Sequence, residues 1–212
     1  KVYKLLRYIL ATNRLTLKRL MDVDLIPGID SSITQFIVSN NAPDRETIFA
    51  NRKKKHGSVF AFHGSGLENW YSIVRNGLRN LSGTHLMTAG AALGAGVYAA
   101  TDSSTSMGYS YRGENHTNWP HSVMNHPQRV VMAVVEIVKK SGYQKNPGVL
   151  VVSDDRDICI RYLLLIPTDC SENMSAPSLK FDSHFYGFLR KEKEREAVEK
   201  TMRISKALSM YG

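Results

Sequence analysis

The runs RVVMAVVEIV (129–138), GVLVVS (148–153) and ICIRYLLLI (158–166) constrain this chain more than any other feature. Each is rich in β-branched residues, which fit a pleated surface, and turn or charged residues bound each one. They predict strands. None approaches the about 20 apolar residues of a membrane span, and no signal-peptide pattern opens the sequence. The chain starts at Lys1 instead of Met, as an excerpt of something longer would.

Shorter strands are expected in SSITQFIVSN (31–40), SVFAF (58–62) and GVYAA (96–100). Leu67, Trp70, Ile73 and Val74 share a helical face that ends at Gly77, and Ser65 with Glu68 has the form of a capping box. Asp102 is placed to cap a helix through SSTSMGYS (103–110). A helical turn after Pro43 is expected to open the polar stretch that runs to Lys55. At the N-terminus Val2, Leu5, Leu6, Ile9 and Leu10 form a helical stripe within residues 1–21, with a basic opposite face. At the other end, 184–210 reads as a long mixed-charge helix with Glu196→Lys200 and Glu199→Arg203 at i,i+4 spacing. The segment 110–128 reads as loop. The expected class is α+β: a mostly antiparallel β core with short helices, framed by helices at both ends. The expected division is an N-terminal helical segment over 1–45, a core over 46–170, and a helical extension or linker over 171–212.

With 212 residues, 42% of them apolar and 22% charged, the chain is one domain or one domain with an appendage. A net charge of +9 points to an anionic partner: nucleic acid, a phosphorylated ligand or an acidic protein surface. The runs Arg52–Lys55 and 191–203 read as solvated charge. Two cysteines, Cys159 and Cys170, exclude a disulfide framework and suit a reducing, intracellular compartment. Neither sits where a thiolate would be activated. His116, His121 and His126 lack acidic or Cys partners at ligand spacing, so no metal is expected.

Familiar catalytic motifs are missing: no G-x-S-x-G elbow, Walker loop or H-E-x-x-H. Gly94-x-Gly96 leads into a strand instead of opening a helix, which excludes a dinucleotide-binding βα turn. What remains is a spacing pattern. His63 ends one strand and is followed by Gly64 and Ser65. Tyr98 sits in a second strand behind glycines, with Ser106 and Tyr109 on the next helical turns, and Tyr162 lies in a late strand. Alone, each residue has a plainer use. Ser65 would cap, Tyr98 and Tyr162 would pack, Ser106 and Tyr109 would be helix surface, and His63 would be a satisfied strand-end histidine.

Together, FAFHGS, ENWYSIVRNGL, GAGVYAATDSSTSMGYS and RYLLLI resemble blocks of the catalytic domain of the poly(ADP-ribose) polymerase family, with its diphtheria-toxin-like fold. The likeness spans residues 46–166 and is strongest to the intracellular mono-ADP-ribosyltransferase branch. It implies an ADP-ribosyltransferase fold with a split sheet, and NAD as substrate with no metal. His63, Tyr98 and Tyr162 would be the catalytic set; His63, Gly64, Ser65, Tyr98, Ser106 and Tyr109 would bind NAD. In chain-elongating members a glutamate stands where this resemblance places Tyr162, and a phenol with pKa about 10 cannot replace that base. Transfer of a single unit is therefore implied, to proteins that include the chain itself, in cytoplasm or nucleus. Nucleic acid is a less favoured partner and a membrane is not expected. Two alternatives stay open: a silent NAD- or ADP-ribose-binding module, and a nucleic-acid-modifying relative marked by a basic stripe beside the His63–Tyr98 cleft.

Overall fold

The computed structural model describes residues 16–40, 43–84, 92–110 and 129–209. Its centre is one eight-stranded sheet of β1 (Thr16–Arg19), β2 (Thr34–Asn40), β3 (Ser58–Gly64), β4 (Val97–Ala100), β5 (Arg129–Val138), β6 (Gln144–Asn146), β7 (Val149–Val152) and β8 (Ile158–Pro167). The spatial order is β1-β2-β8-β5-β3-β4-β7-β6, and every pairing is antiparallel. The apolar runs that predicted strands are the central ones. β5 and β8 are buried almost end to end, because both of their faces are covered.

The sheet separates two cores. One face gathers Ala61, Trp70, Leu78, Val97, Ala99, Ala133 and Val135. The other gathers Phe62, Met132, Val134, Tyr162, Leu164, Phe181 and Phe185. The alternation Ala61/Phe62 and Ala133/Val134 follows from the two-residue period of a strand.

Four helices complete the described fold: α1 (Pro43–His56), α2 (Trp70–Asn76), α3 (Ser103–Ser110) and α4 (Phe181–Ser209). Asp102 caps α3 as expected, its Oδ1 accepting from the Thr105 N–H at 2.8 Å. The capping box at Ser65 does not form. A short 3-10 turn over Leu67–Asn69 precedes α2, with Gly66 at its N-cap position and no side-chain cap. Ser65 Oγ accepts instead from Asn69 Nδ2 at 3.0 Å. The chain enters α2 through a tighter turn that moves the helix start past Ser65's reach.

The N-terminal helix expected over 1–21 is corrected where the structure describes it. Thr16–Arg19 is an edge strand, with Leu17↔Val38 and Arg19↔Phe36 in register. Pairing with an available sheet edge prevails there over helical spacing. The stripe from Val2 to Leu10 and the loop expected over 111–128 lie outside the described residues. The sheet also crosses the expected boundary at residue 45, since β1 and β2 belong to it. On the C-terminal side Phe181, Phe185 and Phe188 root α4 in the second core, while residues 193–203 are exposed.

Arg52 and Lys53 are not solvated. Arg52 reaches Asp154 at 2.8 Å and Asp157 at 2.6 Å, and Lys53 reaches Glu136 at 2.7 Å and Asp182 at 3.1 Å. Helix α1 packs this half-buried side of its basic run over the buried carboxylates of Glu136 and Asp157, while Lys54 and Lys55 face solvent.

Candidate active site

The site is built where β3 and β4 part. β3 pairs with β5 along its whole length, from Ser58↔Val138 to Gly64↔Met132, but meets β4 only at Phe62↔Ala100. The Lys139 N–H donates to the Gly57 carbonyl at 3.0 Å, which fixes the phase of the β3–β5 ladder. Ladder bonds to β5 therefore fall on odd residues, and the amide groups of Ser58, Phe60, Phe62 and Gly64 point to the opposite edge. Gly64 thus aims its N–H and C=O into the split.

His63 bridges that split. Its Nδ1 lies 2.7 Å from the Tyr98 carbonyl, which can only accept, so Nδ1 carries the proton and the neutral ring keeps Nε2 as an acceptor. Burial pushes the His63 pKa below its ordinary value, and the bond to Tyr98 only partly offsets this. Trp70 fixes the ring from the side, with centroids 6.4 Å apart at 71°. Its indole N–H also donates to the Ser65 carbonyl at 3.0 Å. The motif spacing carried no signal for Trp70 beyond its place on a helical face.

Gly64 has a local reason to be glycine. A Cβ there would collide with the Ser106 carbonyl and crowd Ser110 Oγ. What approaches this backbone so closely is α3 itself. Ser106 Oγ donates to the Phe62 carbonyl at 2.9 Å and Ser110 Oγ to the Val131 carbonyl at 3.2 Å, which clamp the helix to β3 and β5. Ser106 is buried and Tyr109, one turn on, is half-buried. Tyr98 holds the turn before its own strand. Its hydroxyl donates to the Gly94 carbonyl at 2.8 Å and accepts from the Leu93 N–H at 2.9 Å. A Cβ at Gly96 would meet Val151 and Val152, so β4 and β7 close tightly there.

His63, Gly64 and Ser65 thus meet Tyr98 and Ser106 at the end of β3, and Tyr109 lies one turn on along the helix that Ser106 clamps there. Tyr162 does not join them. It lies on β8, separated from β3 by β5, and is fully buried. Its hydroxyl lies 2.9 Å from His184 Nδ1, and its ring packs on Phe181 and Phe185. His184 Nε2 donates to the Asp24 carbonyl at 3.0 Å, so Nδ1 accepts from the Tyr162 hydroxyl. Burial raises that phenol's pKa well above its ordinary value. Placing Tyr162 in the catalytic set is corrected: it is a core residue. The strand that flanks Tyr98 is β7, with Tyr98↔Val151 in register. Its four residues, Val149, Leu150, Val151 and Val152, carry no carboxylate. In the sequence GVLVVS showed only a strand, because an aliphatic residue at a site carries no chemical signal.

Burial pushes the Cys159 thiol up to about 12, which makes it a poor nucleophile. Among the described residues no three His, Cys, Asp or Glu side chains converge, and His116, His121 and His126 lie outside those residues. No described helix is long and apolar enough to cross a membrane. The exposed Lys54 and Lys55 lie in the last turn of α1, ahead of β3, whose own length puts Gly64 on the order of 20 Å further on at about 3.3 Å per residue.

Residues 32–146, more than half of the chain, match the poly(ADP-ribose) polymerase catalytic domain. Over 76 residues, 36% of this chain, the sequence is 50% identical to protein mono-ADP-ribosyltransferase PARP8 of Mus musculus and of Homo sapiens, and the match covers 9% of each. Over 164 residues, 65% of this chain, it is 27% identical to protein mono-ADP-ribosyltransferase PARP16 of Homo sapiens, and covers 48% of it. The chain spans less than half the length of these relatives. With the matched region running from β2 to β6 through the His63–Tyr98 split, the chain belongs to the poly(ADP-ribose) polymerase catalytic-domain family.

Proposed function

We propose that this chain is the catalytic domain of an NAD-dependent protein mono-ADP-ribosyltransferase. The observation that carries the reading is Gly64, whose amide groups face the β3–β4 split beside Ser106, with Tyr98 on β4 and Tyr109 one turn along α3. A carboxamide presents one acceptor and two donors, which suits a backbone N–H and C=O pair. Ser106 gives its proton to Phe62, so its lone pairs remain for the carboxamide N–H. Tyr109 offers a ring face for offset stacking and Tyr98 a second wall.

The reaction breaks the bond between nicotinamide and ribose C1′. Positive charge develops on the ribose, an acceptor side chain of the target protein forms the new bond to C1′, and nicotinamide leaves with the electron pair. The acceptor's proton passes to solvent. Holding both ends of the donor rigidly converts binding into rate acceleration. His63 Nε2 accepts from a ribose hydroxyl, a positioning task that suits a ring kept neutral by burial. Ser65, held by Asn69 and Trp70, lies next to it.

The mono-transfer reading rests on β7 in place of Tyr162. Elongation needs a base beside the bound donor to deprotonate the incoming ribose hydroxyl, help worth about 10²–10⁴-fold. Valine and leucine residues flanking Tyr98 supply none. Transfer to proteins, the chain itself included, and an intracellular setting complete the proposal; the similarity to two proteins named mono-ADP-ribosyltransferases supports it.

The test is intact-protein and peptide mass spectrometry after incubation with NAD, with nicotinamide release measured in parallel. One ADP-ribose per site and stoichiometric nicotinamide are expected, and His63→Ala should lose both while retaining the wild-type circular dichroism. NAD binding without nicotinamide release would identify a silent module instead, and ribosyl-ribose linkages in the digest would overturn mono-transfer.

A further inference from the structure

The split in the sheet has a second end. On one side of the Phe62↔Ala100 pairing it opens at Gly64; on the other it opens along Ser58–Phe60. There β4 leaves β3 altogether. After Ala100 the chain turns to bond with 174–176 instead, with Ala176 N–H donating to Thr101 O at 2.7 Å and Ser103 N–H to Met174 O at 2.8 Å. Among the described residues no strand pairs with Ser58–Phe60 on that side.

The gap is a groove of about 470 Å³, walled by Val149 and Leu150 across from β3 and closed by the approach to α4 at Leu179. That size suits a bound ligand or peptide. Ser58, Val59 and Phe60 all line it. Consecutive strand residues point to opposite faces, so a groove touching all three runs along the strand's edge. By the ladder phase set at Gly57, the amide groups of Ser58 and Phe60 face into it.

Exposed strand edges are usually blunted by lysine, proline or a bulge. This one has none: its residues are Ser-Val-Phe, and β3 pairs with β5 without a register shift. The rim carries one charge of each sign, both exposed. Asp182 is bonded to Lys53 at 3.1 Å, whereas among the described residues the Lys180 ammonium has no carboxylate within ion-pair distance.

We propose that this groove docks an extended segment of a partner protein, with apolar and acidic residues in alternation, that adds to β3 as a further strand. Main-chain bonds to Ser58 and Phe60 give affinity, the apolar walls take alternate side chains, and Lys180 selects acidic over basic residues. The inference goes beyond the NAD chemistry and does not depend on it. A peptide bound here would lie at the far end of the strand that carries His63 and Gly64, as a remote grip on a protein substrate would.

The experiment uses the isotope-labelled chain without NAD, so failure of transfer and failure of docking are read separately. The probe is acetyl-(Asp-Val)₃-amide, titrated by amide NMR. Saturable shifts are expected at Phe60, Val149 and Leu150, with slowed hydrogen exchange at the Phe60 amide. The same peptide N-methylated at every residue keeps its side chains but loses the N–H donor of each residue, and should bind at least tenfold more weakly. Lys180→Glu should weaken the acidic peptide at least threefold and favour acetyl-(Lys-Val)₃-amide. No saturable shift at these residues up to millimolar peptide overturns the docking site. Equal binding of the N-methylated peptide overturns strand addition, and equal binding of the lysine peptide to the wild type overturns the charge preference.

Discussion

Two polar regions meet on β3 and treat their hydrogen-bonding groups in opposite ways. Behind the sheet, Glu136 is met by Arg161 Nε at 2.7 Å, Lys53 at 2.7 Å, Ser58 at 2.6 Å and Tyr186 at 2.8 Å. Asp157 takes Arg52 at 2.6 Å and both Lys140 and Tyr143 at 2.5 Å. At the split, His63 uses one nitrogen on Tyr98, and Gly64 turns its amide groups to an edge where β4 does not pair. The two carboxylates of the first region are fully met, with only Arg161 Nη2 lacking a hydrogen bond although it lies 2.8 Å from Glu46 Oε1, whereas among the described residues the second region is open. A buried polar group costs stability unless it is partnered, so a region left open needs another reason to exist. The paired groups hold the fold together, and the open ones are those to which the proposed function assigns the ligand.

The largest effect should come from emptying the first region. Glu136→Ala leaves Arg161 and Lys53 without their shared carboxylate, and about 3–5 kcal/mol of stability should be lost. Chemical denaturation measures it; a loss below 1 kcal/mol would erase the distinction drawn above. Acid should act in the same direction. Burial alone would raise the Glu136 and Asp157 pKa values, but Arg161, Lys53 and Ser58 at Glu136, and Lys140, Tyr143 and Arg52 at Asp157, bring both below their ordinary values. Folded-state pKa values below the unfolded ones, about 4, mean stability present above that pH and lost as pH falls through and below it. Urea midpoints should therefore drop from about pH 5 downward, and Asp157→Asn should flatten the profile.

Gly64→Ala tests the border between the regions. The new Cβ meets the backbone of α3, which cannot yield as a flexible side chain would, so overpacking should cost about 1–3 kcal/mol of stability. The displaced helix should also weaken benzamide-type ligands. Tyr109→Ala should weaken the same ligands by about 1–3 kcal/mol by calorimetry, through lost stacking and burial. Its stability should change far less than that of Glu136→Ala; unchanged ligand binding would misplace the pocket. The smallest effect belongs to Tyr162→Phe, which removes one hydrogen bond to His184 and should cost about 1 kcal/mol of stability. Transfer products should stay mono-ADP-ribosylated. Polymer or abolished transfer from this variant would return Tyr162 to the catalytic set.

Local sequence determined much of this protein. The β-branched runs are the central strands because their composition suits burial on both faces, wherever the neighbours come from. His63, Gly64, Ser65, Tyr98, Ser106 and Tyr109 were legible as a group because each motif is short and its spacing survives within one or two adjoining elements. Tertiary structure alone decided the rest. Thr16–Arg19 became a strand because a sheet edge was there to pair with. Arg52 and Lys53 left the solvent because Asp154, Asp157 and Glu136, more than 80 residues away in sequence, meet α1 in space. The residue beside Tyr98 proved to be on β7 and not β8, since strand order follows from how crossovers pack and no window of sequence contains it. Sequence spacing fixes which side chains share one element; which elements become neighbours is set by the burial of whole faces, and only the folded chain shows it.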